Sequence, residues 1–144
     1  MNKYQQLKEA QQKRVNDLPL MFAFNHDQFR EGMAKLGLTV DDTDKIVSIG
    51  GGGYIRKADV PLFNATFGGL ETEMKAAIEA DKDGTGFIYD MFLYELQNHE
   101  YCITYDLEPT LDALGLTEDD VLNNPALLNG LRLAKKEALK DCWD

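Results

Sequence analysis

A chain of 144 residues, 44% of them hydrophobic, is long enough for one packed core and too short for two comfortable domains, so a single domain over residues 1–144 is expected. Fifteen Lys and Arg against 25 Asp and Glu leave a net charge of −10, which repels nucleic acid and argues against direct binding of DNA or RNA. The longest apolar run, 18–24, falls far short of the roughly 20 residues a bilayer span needs, and the polar N-terminal stretch lacks a signal-peptide core, so a soluble, cytoplasmic protein without a membrane partner is expected.

In chain order, Tyr4, Leu7, Gln11, Val15 and Leu18 recur at helical spacing and predict an amphipathic helix over 3–16, ending before Pro19. Residues 19–24 read as extended and buried. Asn25 then caps a helix with Gln28 at its third position, Phe29, Met33 and Leu36 forming the inward stripe. Gly37 stops that helix, with Leu38 placed for the apolar contact of a Schellman turn.

Residues 36–42, LGLTVDD, and 114–120, LGLTEDD, match at six of seven positions. The match reads as repeated local grammar, a Gly closing one helix and a Thr capping the next with Asp at its third position. It predicts two helix-turn-helix corners, and a short helix over 40–49 with a strand as the alternative. Gly50 to Gly53 reads as a hinge before a short extended or hairpin element near 50–58; it lacks the Gly-Lys-Ser/Thr ending of a phosphate-binding loop. Asp59 is placed to cap a helix carrying Pro61 in its first turn, and Phe63, Phe67, Leu70, Met74 and Ile78 form its core stripe.

The stretch 81–101 runs from a turn-rich acidic loop into the most hydrophobic helix in the chain, apolar on nearly every side except a strip of Asp90 and Gln97, and is expected at the centre of the core. Its loop resembles a calcium-binding EF-hand loop: Asp81, Asp83 and Thr85 supply oxygens at positions 1, 3 and 5, Gly86 stands at 6, and Phe87 offers a carbonyl at 7. Position 12, where a bidentate Glu belongs, holds Phe92, and no second loop of this pattern occurs. The competing reading is a turn in which Gly84 and Gly86 bend the chain and the Asp and Thr side chains cap helices.

Beyond it, 101–105 reads as an extended link, followed by short helices over 107–114 and 117–123. A final helix starts at Asn124-Pro125, with Leu128, Leu131, Lys135 and Ala138 on one line and Leu127, Ala134 and Trp143 nearby. The fold class is therefore mainly α, a single-domain irregular bundle of about six to eight helices.

Catalytic patterns fail. Glu95 and His99 share a helix face without the paired Glu-x-x-His of a di-iron bundle, and His99, Cys102 and Cys142 make an incomplete zinc set. A nucleophilic pair of Cys102 with His26 or His99 has no supporting signature, so no enzyme and no cofactor are expected, calcium entering only under the EF-hand reading. The two cysteines are read as reduced thiols.

The charge is concentrated: residues 37–124 hold 5 basic and 18 acidic side chains, whereas 1–36 hold 6 and 4, and 125–144 hold 4 and 3. Such a middle attracts basic surfaces, which makes Asp41, Asp42, Asp44, Glu118, Asp119 and Asp120 the candidate contacts with a basic protein partner.

The combination of FAFN over 22–25, LGL over 36–38, DTDKI over 42–46, the glycines 50–53, GFIYDMF over 86–92, NHEY over 98–101 and TLDALGL over 110–116 resembles an uncharacterised family of small acidic proteins carried by phages and mobile elements of Gram-positive bacteria. The resemblance covers nearly the whole chain and implies no activity or catalytic residue. It implies a bacterial host cell as the setting, in which small acidic proteins often block host machinery. The expected function is a non-enzymatic binding protein, an anti-defence, anti-CRISPR-like inhibitor of a nucleic-acid-handling host protein; the alternative is a degenerate EF-hand-like calcium binder.

Overall fold

A computed structural model describes residues 2–142 and is mainly α-helical, with a small three-stranded sheet. In chain order the elements are α1 (Lys3–Asn16), β1 (Leu20–Phe22), α2 (His26–Lys35), β2 (Ile46–Gly50), β3 (Gly53–Arg56), α3 (Val60–Ala80), α4 (Phe87–Asn98), α5 (Tyr101–Thr104), α6 (Glu108–Leu114), α7 (Glu118–Leu122) and α8 (Pro125–Asp141). The chain gathers into two compact units, a larger one of residues 1–10 and 72–144 and a smaller one of residues 11–71, so the division falls inside α1 and α3. Among the described residues no helix is long and apolar enough to cross a membrane.

The larger unit is built around α4, as its apolar surround predicts. Phe87, Ile88, Met91, Phe92 and Leu96 are buried in one cluster with Tyr4, Tyr101, Leu111, Val121, Leu127, Leu131, Ala134 and Ala138. The principal partner of α4 is α8, and glycine sets how closely they meet. A Cβ at Gly130 would lie 2.5 Å from Ile88 Cγ2, and one at Gly84 would collide with the Ala126 carbonyl. The buried line of α8 keeps Leu131 and Ala138 of the expected line and adds Leu127 and Ala134, which were placed beside it, in place of Leu128 and Lys135: Leu128 stays exposed. Trp143 lies outside the described residues.

Segment 101–105 corrects a second expectation. It is the short helix α5, not an extended link, bracketed by Glu100 and Tyr105 in the left-handed region at φ 54° and 55°. Cys102 in α5 and Cys142 at the end of α8 form a disulfide with Cα atoms 5.7 Å apart, so they are not the reduced thiols expected. Forty positions separate them in sequence, and only the folding of α8 back onto α5 brings them together.

The smaller unit packs α2 on an antiparallel sheet of order β1-β3-β2 around Met21, Met33, Leu36 and Ile46. Residues 46–50 form strand β2, the alternative to the helix expected over 40–49: Ile46 and Val47 pair with Arg56 and Ile55, and β-branched side chains suit a half-buried pleated surface. The turn before it keeps only one 3-10 stretch, Thr43–Lys45. Gly50, Gly51 and Gly52, all at positive φ, make the expected hairpin turn into β3.

Asp59 does not cap α3; its carboxylate is taken by Arg56 Nε at 2.6 Å, and Arg56 Nη1 reaches the Leu36 carbonyl at 3.2 Å. The expected core stripe of α3 is not buried. Met74 and Ile78 pack against the larger core from its rim, Phe63 and Phe67 stack on each other with centroids 4.7 Å apart, and no residue of the helix is fully enclosed.

Candidate functional site

The two LGLT corners close their helices alike, but only the second is the helix-turn-helix expected: Thr117 caps α7, whereas the first runs through a turn and a 3-10 stretch into β2. Gly37 N–H donates to Ala34 O and Leu38 N–H to Met33 O, at 3.0 and 2.8 Å; Gly115 and Leu116 repeat this on Asp112 O and Leu111 O, at 3.1 and 3.0 Å. These are Schellman closures, with Gly37 at φ 74° and Gly115 at φ 67°. Past each closure the Asp turns back on the Thr. Thr39 N–H and Oγ1–H donate to Asp42 Oδ2 at 2.8 and 3.1 Å, and Thr117 N–H donates to Asp120 Oδ2 at 2.9 Å while Thr117 Oγ1 accepts from Asp120 N–H at 3.1 Å.

Those bonds sort the six candidate partner contacts. Asp42 and Asp120 serve the local turns, and the Thr39 backbone bond, followed by the Thr39 hydroxyl and Lys45, holds the Asp42 carboxyl below its ordinary range. Asp41, Asp44, Glu118 and Asp119 are exposed and take part in no side-chain pairing among the described residues. The triplets fall in different units. The larger unit, with Glu118 and Asp119, holds 17 acidic and 8 basic residues, and the smaller unit 8 and 7.

In the loop before α4, the oxygens an EF-hand would direct at calcium bind backbone. Asp81 Oδ2 accepts from Gly86 N–H at 3.1 Å and Ile88 N–H at 2.9 Å, satisfying donors that the start of α4 leaves free. Asp83 Oδ1 accepts from Thr85 Oγ1–H at 2.7 Å and Thr85 N–H at 3.0 Å, bonds that hold the Asp83 carboxyl below its usual value. The left-handed glycine is Gly84 at φ 80°, whereas Gly86, at the position where an EF-hand makes its sharp turn, sits at φ −107°. The Asp83 carbonyl is held by Asn129 Nδ2 of α8 at 2.8 Å, Phe87 is buried, and Phe92 is fully enclosed at the twelfth position. These contacts brace the loop as a helix cap docked on α8. Among the described residues no three His, Cys, Asp or Glu side chains converge as metal ligands.

The most unusual polar group is Glu95. It points into the larger core at 1% exposure, where Tyr4 Oη donates to Oε1 at 2.8 Å and Lys8 Nζ pairs with the same oxygen at 2.8 Å. Lys8 Nζ also lies 5.1 Å from the centre of the Tyr94 ring. His99 Nε2 stands 3.3 Å from Oε2, within ion-pair reach when protonated but outside hydrogen-bonding geometry, so this buried nitrogen has no bonded partner. Burial first, and then the Glu95 bond and charge, push the Tyr4 phenol far above its ordinary range. The cluster fastens the start of α1 to the middle of α4.

Residues 3–137, from the start of α1 into the last turns of α8, match a family of unknown function. The chain belongs to DUF7659. No curated protein and no solved structure matches it.

In this DUF7659 chain, sequence reasoning noted that Glu95 and His99 share a face but missed the burial of Glu95 and its partners Tyr4 and Lys8. The available signal was a single acid among Met91, Phe92 and Leu96, on the face that must turn inward. The disulfide removes both cysteines from the zinc and nucleophile patterns considered from sequence. The glycines 50–53 are a hairpin turn between paired strands.

Proposed function

We propose that the protein is a non-enzymatic, acidic binding protein whose larger unit engages a basic, nucleic-acid-binding host protein, as an anti-defence inhibitor of the anti-CRISPR-like kind carried by phages and mobile elements. The observation that supports this reading is the placement of charge: an excess of nine acidic residues in the larger unit, against one in the smaller. Glu118 and Asp119 are exposed on α7, with Glu108 and Asp112 exposed on the preceding helix α6. Carboxylates so placed steer a cationic surface into contact and compete with the phosphates it would otherwise hold. The setting proposed is the cytoplasm of a bacterial host, and the action needs no cofactor.

The test is affinity capture of the partner from a host lysate with the full chain, followed by binding measurements on the purified pair. The captured protein should be basic, DNA or RNA should displace it, and affinity should fall steeply between about 50 and 500 mM salt as the screening length shrinks. Glu118→Lys with Asp119→Lys should slow association and leave the fold intact; Asp41→Lys with Asp44→Lys, in the near-neutral unit, should act less. Binding that ignores both salt and nucleic acid would overturn the proposal.

A further inference from the structure

The smaller unit ends its sheet in an open edge. Strand order β1-β3-β2 leaves β1 paired on one side only, and Ala23 N–H donates to Gly52 O at 2.9 Å just beyond the Phe22–Gly53 pair. Because antiparallel ladders alternate, Met21 and Ala23 direct their backbone groups at β3, and Leu20 and Phe22 direct theirs outward. Leu20 N–H is used locally, on Leu18 O at 2.8 Å. The Leu20 carbonyl and both polar backbone groups of Phe22 face the open edge.

This edge also carries exposed aromatic side chains beside a groove of mixed polarity. Phe22 and Phe24 are 56% and 76% exposed, an arrangement that invites pairing with another strand. Two cavities, of about 450 and 310 Å³, share Leu20 and Phe22 in their walls. The larger is also lined by Gln28, Glu31 and Lys35, one stripe of α2. Gly32 in that stripe lets α2 lie close to the strand, since a Cβ there would stand 2.6 Å from Met21 Sδ.

We propose that this edge pairs with the same edge of a second copy, giving a two-fold dimer. Charge permits that occupant on this unit and opposes it on the other. Copies meeting through the larger unit would set 17 acids and 8 bases against the same excess, whereas the smaller unit, with 8 and 7, is nearly neutral. The wall of the groove is self-complementary as well: a two-fold axis through Met21 sets each Phe22 N–H against the Leu20 carbonyl of the other copy. It lays the α2 helices antiparallel, Glu31 of one beside Lys35 of the other.

The test is the molar mass of the full chain by sedimentation across about 1 to 200 µM, the range in which a modest interface populates both states. The expected result is a rise from 16.2 kDa toward twice that mass. Glu31→Lys, exposed and outside both cores, should weaken the dimer about tenfold or more by setting like charges together, and adding Lys35→Glu should restore it. Phe22→Pro removes the outward N–H while sparing the ladder to β3, and should leave a monomer with an unchanged circular dichroism spectrum. A chain that stays at 16.2 kDa throughout, or a dimer indifferent to Glu31→Lys, overturns the proposal. So does a dimer that Lys35→Glu fails to restore, or a monomer that takes up an extended peptide from another protein instead.

Discussion

Tyr4 and Glu95 stand 91 positions apart in sequence and share a hydrogen bond of 2.8 Å inside the core of the larger unit. The carboxylate is shielded from water and its attachment is made by two residues of one helix, Tyr4 and Lys8. Tyr4→Phe keeps the ring and removes one donor, and should cost about 1–3 kcal/mol because a buried acceptor loses a partner. Glu95→Ala should cost about 1–3 kcal/mol, since it leaves the buried Tyr4 hydroxyl without its acceptor while Lys8, 45% exposed, can turn to water. Urea unfolding of the two variants measures both. A Tyr4→Phe protein as stable as the parent would show that Lys8 alone satisfies the carboxylate.

The Cys102–Cys142 bond should contribute about 2–4 kcal/mol, chiefly by restricting the unfolded chain. Treatment with a dithiol should lower the Tm by several degrees, and the Cys102→Ser/Cys142→Ser variant should melt alike with and without reductant. Titration of free thiols in the air-oxidised protein supplies the check, and two reactive thiols in folded protein would remove the bond from the account. In the reducing cytoplasm proposed as its setting the pair would be open, so the reduced protein is the form to use for partner capture.

Millimolar calcium should leave the Tm unchanged, because Asp81 and Asp83 already accept backbone and Thr85 donors and Phe92 supplies no ligand at the twelfth position. Asp81→Ala should cost about 1 kcal/mol with or without calcium, the usual loss when a helix start is uncapped. Differential scanning calorimetry in calcium and in chelator separates the outcomes. A rise of several degrees in calcium, abolished by Asp81→Ala, would establish the loop as a metal site.

Acid should open the first LGLT corner. The Asp42 carboxyl titrates below its ordinary 3.8 in the folded chain, so its contribution is complete above that value and is lost as pH falls through the lower folded value. The Thr39 amide resonance, followed by NMR from neutral pH downward, should move with a midpoint below 3.8, and Asp42→Asn should flatten the curve. Asp90 runs the other way: burial, and then the Asp81 charge, raise its pKa, so the ionised form costs stability at neutral pH and Asp90→Asn should raise the Tm there.

What the sequence made legible was whatever neighbouring residues decide among themselves. The Gly37 and Gly115 closures, the Asn25 and Thr117 caps and the Pro125 start need only a few adjacent positions, and each stands where the pattern puts it. Strand β2 was not firmly legible, because Ile46 and Val47 become a strand only when β3 lies beside them. Periodicity identified an apolar face on α3 without saying what covers it, and Phe63 and Phe67 cover mainly each other. Cys102 and Cys142 carry no motif; their pairing depends on where α8 ends. The same limit applies to the site, since which acids are already hydrogen-bonded is set by Thr39 and Thr117, each of which engages one member of its triplet.

The hairpin turn carries a constraint of handedness. Gly50, Gly51 and Gly52 hold φ of 89°, 59° and 81°, three successive backbones in the region natural for a mirror-image amino acid. A Cβ of the ordinary hand would meet nothing within 4 Å at Gly50 or Gly51, so space is not what excludes larger residues there. Backbone chirality is: an L-residue costs roughly 1–2 kcal/mol in this conformation, and a D-residue does not. The turn therefore disfavours L-residues, which the fold accepts in this region at Glu100 and Tyr105, and it suits chemical synthesis, in which D-alanine at position 50 or 51 would stiffen a hairpin that glycine leaves loose.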